Sequence, residues 1–280
     1  MNRTYHVLNL GAGVQSTTVL LLMHDRTIEV PDSLVAIFAD TQEEPSAVYR
    51  HLDWLEQEVR FPILRRTRGK LGDDLSRGVN ATGQRHVTIP AFTGPDGVRP
   101  AAGQLRRQCS HEYKLEVIWR TMRGELMGLK PRQRWPRNAL VQYFGISRDE
   151  AGRAVRIKQR VEEEGRGQAR FPLIEMGWTR YDCLRYLRGR VPHEVPRSAC
   201  VFCPYHSDSE WRRLKQDPEA WARIVYIDHR LREPGVIVNR GPKQQPYLHR
   251  SALPIDKVDF NESQMEFPSF VRECEGMCGV

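Results

Sequence analysis

The stretch HVLNLGAGVQSTTVLLLMHD, residues 6–25, is the clearest indication of the fold of this 280-residue chain. Its apolar run up to Leu10 is typical of a buried strand, and the run that ends at Met23 is typical of a helix entered through hydroxyl residues. Between the two runs stand Gly-Ala-Gly at 11–13 and Ser-Thr-Thr at 16–18. A strand, a glycine turn and a helix in this order predict an α/β unit with a ligand site at the turn.

The composition of this turn favours an anionic ligand. Glycines let backbone N–H groups approach an anion, and a helix N terminus adds a favourable dipole. The hydroxyls of Ser16 and Thr17 are predicted to be further donors. The turn has no Walker lysine, and Ser16 stands where a Gly-x-Gly-x-x-Gly pattern has its third glycine. The turn therefore either binds phosphate or is simply a tight connection.

The rest of the chain repeats the alternation of strands and helices. Further strands are predicted at 33–40, 60–67 and 139–147, and further helices at 46–59, 111–126 and 179–189. Such alternation is typical of parallel sheets, because each crossover between parallel strands needs a helix. We therefore expect a Rossmann-like doubly wound parallel sheet.

Two segments depart from this alternation. Residues 68–106 are rich in Gly, Pro, Arg and Asp and have weak periodicity, which predicts a long mobile loop over a site. From about residue 190 the chain is rich in proline and irregular. We predict a nucleotide-binding domain over 1–190 that contains the loop, and a C-terminal appendage over 191–280.

Composition narrows the class of protein. The segment 6–25 lacks the features of a signal peptide, and no stretch is apolar enough to span a bilayer. Six cysteines without an export signal predict a cytoplasmic protein whose clustered thiols bind metal or do redox chemistry. A net charge of +8 favours a nucleotide or nucleic acid as partner, or else reflects a solvated basic surface.

Charged residues follow the ends of the predicted strands. Asp40 ends the second strand, where its carboxylate would hold ribose hydroxyls or Mg²⁺, or else cap the next helix. After a later strand, Arg148 and Arg153 would grip phosphate oxygens while Glu150 serves Mg²⁺. These three are candidate catalytic residues, unless the cluster is an ordinary solvated helix end.

Six segments of the sequence carry five motifs that resemble those of a known protein family. They are GAGVQS (11–16), AIFADTQEEPSAVY (36–49), RRQCSHEYKLEVI (106–118), FGISRDEAGR (144–153), and FPLIEMGWTRYDCLRYL (171–187) followed by CVFCPY (200–205). In this order they resemble the PP-loop adenine-nucleotide α-hydrolase superfamily, in particular its phosphoadenosine-phosphosulfate reductase-like branch. The resemblance covers most of residues 5–205.

The resemblance implies that the chain binds ATP and Mg²⁺. The positions that match the family's nucleotide-binding motifs are Gly11, Ala12, Gly13, Gln15, Ser16, Thr17, Asp40, Thr41 and Gly145. Two of them depart from the family pattern. Gln15 stands where the family has an aspartate with a metal-linked role, and Gly11 stands where the family has a serine that donates to phosphate.

The cysteines form the strongest single motif. Cys200 and Cys203 make a Cys-x-x-Cys followed by proline, a metal or redox signature. The resemblance brings Cys109 close to them, and related sulfur-handling enzymes use a lone cysteine plus a Cys-x-x-Cys to hold a [4Fe–4S] cluster. We predict that cluster here; the alternatives are Zn²⁺ with His206 as fourth ligand and, third, unligated thiols. Cys183 is expected to be core.

Two further groups complete the candidate site. Arg106, Arg107 and Lys114 flank Cys109 and are predicted to bind an anionic substrate. Near the end of the chain, Cys274 follows a glutamate and resembles the nucleophile in the Glu-Cys-Gly-x-His tail of sulfonucleotide reductases. It is predicted to be a catalytic thiol, or else, like Cys278, an additional metal ligand or part of an unstructured end.

Three functions compete at this point. In the first, the resemblance implies an ATP pyrophosphatase that adenylates a substrate for sulfur transfer, with DNA or tRNA as substrate and a cysteine desulfurase as the type of sulfur donor. The second is a reductase of adenylyl sulfate or its 3′-phosphate, and the third is a nucleic-acid-binding protein whose fold is stabilised by a bound metal. A nucleic acid would bind the basic residues ahead of the long loop, namely Arg65, Arg66, Arg68 and Lys70.

Overall fold

The computed structural model describes residues 4–80, 82–83, 89–94, 101, 103–136, 139–234, 236 and 245–260, and within them a five-stranded parallel sheet forms the centre of the fold. Its strands are β1 (Tyr5–Asn9), β2 (Val35–Asp40), β3 (Ile63–Thr67), β6 (Leu140–Phe144) and β7 (Gln168–Arg170). They lie in the order β3-β2-β1-β6-β7. The expected α/β class with a parallel sheet is confirmed, and the topology is compatible with a Rossmann-like domain.

Helices flank this sheet. They are α1 (Val14–His24), α2 (Ser46–Glu58), α4 (Gln108–Ser110), α5 (Glu116–Arg120), α6 (Ala151–Glu163), α7 (Pro172–Glu175) and α8 (Arg180–Leu187). Around α5, two π-helical turns at His111–Leu115 and Thr121–Leu126 make one helical segment of residues 108–126. Helix α1 is buried from Val14 to Met23, because it lies inside the apolar core rather than on its surface.

The strand order creates a switch point between β1 and β6. From β1 the chain builds β2 and β3 on one side, and it later returns to place β6 and β7 on the other. Asn9 at the end of β1 is in register with Phe144 at the end of β6, so the turns after both strands meet at one edge. Ligands of open parallel sheets bind at such a point.

A second sheet lies within the described residues, in segments predicted to lack regular structure. It contains β4 (Phe92–Gly94), β5 (Gly103–Gln104) and β8 (Gln245–Tyr247) in the antiparallel order β5-β4-β8. The prediction of a structureless loop over 68–106 is wrong for β4, β5 and helix α3 (Leu71–Ser76). The prediction of an irregular appendage is wrong for β8, α9 (Asp208–Lys215) and α10 (Pro218–Leu231).

The two segments form one core together. Leu71 and Ile89 from the first pack in one apolar cluster with Trp211 and Ile224 from the second. Helix α10 does have helical periodicity, since its buried residues Ile224, Ile227, Asp228 and Leu231 follow the spacing i, i+3, i+4 and i+7, so this helix was predictable from the sequence.

Two further predictions concern burial. Cys183 is fully buried and packs with Leu187 in the core cluster that contains α1, so its prediction as a core residue is confirmed. Among the described residues, no helix combines the length and the apolar character needed to cross a membrane.

Candidate functional site

The turn between β1 and α1 lies at the switch point and is buried throughout. Ala12 has a left-handed backbone with φ of +58°, and Gly13 precedes the helix in an extended conformation. In the part of the chain described, no side chain caps the N terminus of α1. The first turn of this helix therefore offers backbone N–H groups to an anion at the edge of the sheet.

The three hydroxyls of α1 are engaged within the protein. Ser16 donates to the Gly13 carbonyl at 3.3 Å, and Thr18 donates to the Val14 carbonyl at 2.8 Å. The Thr17 hydroxyl lies 2.8 Å from Nε2 of His51. Burial and the nearby His193 lower the pKa of His51 to about 3, so this imidazole is neutral. The predicted phosphate donor Thr17 thus contacts α2 instead of the turn.

Gln15 connects the turn to two charged residues that come later in the chain. Its Nε2 donates to Oε2 of Glu150 at 2.9 Å, and its Oε1 accepts from Nη1 of Arg180 at 2.7 Å. An aspartate at position 15 would bring a second carboxylate against Glu150, whereas the amide satisfies both neighbours. An amide therefore suits position 15 better than a carboxylate would.

The segment after β6 divides into half-buried and exposed residues. A 3₁₀ turn at Arg148–Glu150 leads into α6, and Glu150 forms an ion pair with Arg153 at 3.1 Å. These two residues join Gln15 at the switch point, as predicted for a site. Arg148 is exposed at the rim, where its backbone N–H donates to the Trp178 carbonyl.

Arg180 is a site residue that sequence reasoning missed. It begins α8, directly after Thr179, which caps that helix. Its backbone N–H donates to Oδ1 of Asp149 at 3.2 Å, in addition to the contact between its guanidinium and Gln15. The available signal was its position one residue after a capping threonine inside the matched motif at 171–187.

Asp40 occupies the carboxyl end of β2, as predicted, and does not cap α2. Its Oδ1 accepts from the Gln42 N–H at 2.7 Å and from the Tyr49 hydroxyl at 3.0 Å. Helix α2 begins at Ser46 after Pro45. Burial and the Asp40 carboxylate raise the pKa of Tyr49, which keeps the phenol protonated as a donor.

The three predicted metal ligands line one cavity. Cys109, Cys200 and Cys203 share it with Thr41 and with mainly apolar neighbours. The Thr41 hydroxyl lies 3.1 Å from Sγ of Cys200, so the residue after Asp40 contacts a cysteine 159 positions later. The cavity therefore adjoins the carboxyl end of β2.

A buried carboxylate holds the chain segments around this cavity together. Glu44 accepts from Nζ of Lys114 at 3.1 Å and from the Ser198 hydroxyl at 3.2 Å. Lys114 follows Cys109 in the helical segment 108–126, and Ser198 precedes Cys200. Burial and the Glu44 carboxylate raise the pKa of the Cys200 thiol.

The donor set of the cavity suits a soft metal centre, although the thiols are not grouped around an ion. Within the described ranges, no three or more His, Cys, Asp or Glu residues are arranged to hold a metal ion. The Ser110 hydroxyl is buried in the cavity wall and has no hydrogen-bond partner among the described atoms. The three thiols are ligand types that soft metals prefer, but the described side chains do not form a metal site in this arrangement.

The remaining predicted ligands lie elsewhere. His206 is absent from the described wall of the cavity; its Nε2 lies 2.9 Å from the Cys200 carbonyl and its Nδ1 lies 3.7 Å from Glu210. Cys274 and Cys278 lie outside the described residues.

The three basic residues that were predicted to bind an anionic substrate differ in their position relative to the cavity. Arg107 lines the cavity, and its guanidinium lies 5.1 Å from the centre of the Tyr205 ring. Lys114 also lines the cavity but is ion-paired with Glu44. Arg106 is exposed.

The predicted nucleic-acid surface ahead of the long loop is largely neutralised. Each of its three arginines is ion-paired: Arg65 with Asp53 and Glu56, Arg66 with Glu125, and Arg68 with Glu116. Paired guanidinium groups attract phosphate less than solvated ones, so this surface offers a nucleic acid little net charge.

The fold and the site therefore place a buried glycine turn at a helix N terminus, a Gln-Glu-Arg network and a cavity with three thiols at one edge of a parallel sheet. These features come from five separate segments of the chain. Comparison with protein-family models, with curated proteins and with solved structures found no match in any of the three.

Proposed function

We propose that this protein is a PP-loop enzyme of the phosphoadenosine-phosphosulfate reductase-like branch, which binds ATP and adenylates a substrate for sulfur transfer. One observation carries the proposal: Thr41, at the end of the strand that would hold the nucleotide, contacts Cys200 in the thiol cavity at 3.1 Å. Nucleotide chemistry and sulfur chemistry would then take place at adjoining sites.

The nucleotide side of the reaction would use the switch point. Backbone N–H groups of the turn at 11–13 and of α1 would hold phosphate oxygens, with Arg153 and Arg180 as nearby cations. Glu150 would hold Mg²⁺. An oxygen of the substrate would attack the α-phosphorus of ATP and form a new P–O bond. The bond between the α-phosphorus and the oxygen that bridges to the β-phosphate would break, and pyrophosphate would leave.

The sulfur side of the reaction would use the cavity. Cys109, Cys200 and Cys203 would hold a [4Fe–4S] cluster, or Zn²⁺ as the alternative, and a bound cluster would supply sulfur-transfer chemistry. The sulfur would displace AMP from the adenylated substrate. The apolar walls would exclude water from the adenylate, which water otherwise hydrolyses. The proposed substrate class is a nucleic acid, DNA or tRNA, and a cysteine desulfurase is the type of donor that would supply the sulfur.

A second candidate is reduction of adenylyl sulfate or its 3′-phosphate. Its supporting observation is that Arg107 lines the same cavity as the three cysteines, which suits a sulfate group beside thiols. The two candidates differ in their products. The first releases pyrophosphate from ATP, and the second releases sulfite without consuming ATP, so assays for both products distinguish them.

Replacing Arg153 with Ala is expected to weaken ATP binding about tenfold or more, because a charge-assisted hydrogen bond contributes roughly 1.5–3 kcal/mol. Isothermal titration calorimetry with Mg²⁺-ATP measures the change. Arg156→Ala is the matched control, since Arg156 lies three residues further along α6 and is exposed. Equal affinities of the two variants would contradict the proposed nucleotide site.

Anaerobic reconstitution with iron and sulfide is expected to give a brown protein with broad visible absorption. Ala replacements at Cys109, Cys200 or Cys203 should each abolish the colour, because three thiolates hold the cluster. Cys183→Ala is the control that should retain it, since Cys183 is a core residue away from the cavity. Stoichiometric zinc and no iron would instead favour a structural metal.

A further inference from the structure

Helix α8 presents a continuous exposed strip that the fold does not use. Tyr181, Leu184 and Arg185 have the spacing i, i+3 and i+4, which places them on one face of the helix, and Arg188 directly follows its last residue, Leu187. All four are exposed, and 70% of Tyr181 and 47% of Leu184 are accessible to solvent. The opposite face, with Cys183 and Leu187, is buried against the core around α1.

The exposure of the apolar residues Tyr181 and Leu184 is unusual in this protein. The described residues include five exposed large apolar side chains, and two of them, Tyr181 and Leu184, lie one turn apart on this helix. Exposed apolar side chains that cluster beside charges are typical of interaction surfaces. A tyrosine in such a position offers a flat ring on which another ring can stack.

The charges of the strip are basic. Arg185 and Arg188 extend into solvent, whereas Arg190 pairs with Asp25 beyond the end of the helix. Asp182, the acid of α8, accepts the N–H and hydroxyl of Thr179 as a helix cap, and these bonds lower its pKa. Its second oxygen contacts Arg185 at 3.1 Å in an exposed pair, which contributes little in water.

The strip also begins at the candidate site. Arg180 directly precedes Tyr181, and its guanidinium contacts Gln15 of the nucleotide turn at 2.7 Å. From Tyr181 to Leu187, the last residue of the helix, α8 rises by about 9 Å. A ligand that lies along the strip would therefore reach the rim of the switch point.

We propose that Tyr181, Leu184, Arg185 and Arg188 bind a single-stranded segment of a nucleic acid and lead it to the site. The inference rests on the proposed function for the identity of its ligand. A base would stack on Tyr181, and Arg185 and Arg188 would contact phosphates. The strand must be unpaired, because a base in a duplex does not expose its face to a tyrosine ring. The net charge of +8 favours a polyanion, and the exposed ring of Tyr181 favours one that carries stacking bases over an acidic protein.

Fluorescence anisotropy with labelled single-stranded DNA and RNA oligonucleotides tests this surface. Tyr181→Ala should weaken binding about tenfold, as expected for the loss of one stacked base, and Tyr181→Phe should retain binding. Arg188→Ala should weaken binding of all sequences and lower the slope of log affinity against log salt by about one. A duplex of the same sequence should bind more weakly than the single strand.

Tyr226→Ala is the matched control, because Tyr226 is an exposed tyrosine on α10 with 47% of its surface accessible. Equal losses for Tyr181→Ala and Tyr226→Ala, or no oligonucleotide binding at low salt, would overturn the proposal. Preferential binding of a labelled polyglutamate peptide through the strip would also overturn it, in favour of an acidic protein partner. Calorimetry with Mg²⁺-ATP on the same variants tests the nucleic-acid surface and the proposed function separately. The variants of the strip should bind ATP as the wild type does. Failure of the wild type to bind ATP would contradict the proposed function but not the nucleic-acid surface.

Discussion

Replacing Glu44 with Ala is expected to lower the free energy of unfolding by about 3–5 kcal/mol, the usual cost of leaving one charge of a buried ion pair uncompensated. The side chain of Glu44 is fully buried, and that of Lys114 is 6% exposed. Without Glu44, the ammonium group of Lys114 would lose its counter-ion and the Ser198 hydroxyl would lose its acceptor. Urea denaturation monitored by circular dichroism measures the loss.

A double variant distinguishes the buried charge from a simple packing effect. Glu44→Leu combined with Lys114→Met removes both charges and should recover much of the stability, because no ion then remains unpaired. Arg66→Ala is a surface control: it breaks an exposed pair with Glu125 and should cost less than about 1 kcal/mol. A cost for Glu44→Ala no larger than that of Arg66→Ala would contradict this account.

Loss of Glu44 should also disturb the thiol cavity. The carboxylate joins the helical segment that carries Cys109 to the segment that leads to Cys200, through Lys114 and Ser198 respectively. Any centre that needs thiolates from both segments would therefore form less completely in Glu44→Ala, even at temperatures where the variant is folded.

Replacing Gly145 with Ala is expected to destabilise the fold by several kcal/mol and to abolish ATP binding. A Cβ at position 145 would lie 2.5 Å from the backbone nitrogen of Ser16 and 2.9 Å from the carbonyl carbon of Gln15. These are backbone atoms at the start of α1, so relief of the clash has to displace the nucleotide turn itself. Overpacking in a rigid core commonly costs about 1–3 kcal/mol, and more where backbone has to move.

Gly152→Ala provides a matched control for this prediction. It lies seven residues later in the first turn of α6, and, apart from its chain neighbours and the backbone of its own helix, no described atom lies within 4 Å of the position that its Cβ would occupy. Alanine has the higher helix propensity, so this variant should be neutral or slightly stabilised. Thermal denaturation and ATP calorimetry on both variants test the contrast, and a similar outcome for the two would contradict the close approach of β6 and α1.

Much of the central sheet was predictable because its signals are local. The strand, turn and helix of residues 6–25 and the later alternation depend on residues close together in sequence, and β1, β2, β3 and β6 lie where predicted. The second sheet was not predictable, because its strands β4, β5 and β8 are only two or three residues long, too short to show an alternating pattern, and come from distant parts of the chain. No short window of the chain carries that pattern.

For the site, the residue types could be read directly along the chain: the glycine turn, the acid that ends β2, the charged cluster after β6 and the Cys-x-x-Cys. Their contacts depend on the folded arrangement. Thr17 pairs with His51, Gln15 connects Glu150 with Arg180, and Lys114 is neutralised by Glu44. These contacts join residues 34 to 165 positions apart. Propensity and periodicity depend on residues that are close together in sequence. The partner of a buried polar group depends instead on which strands end side by side at one edge of the sheet, and that is decided by the tertiary structure.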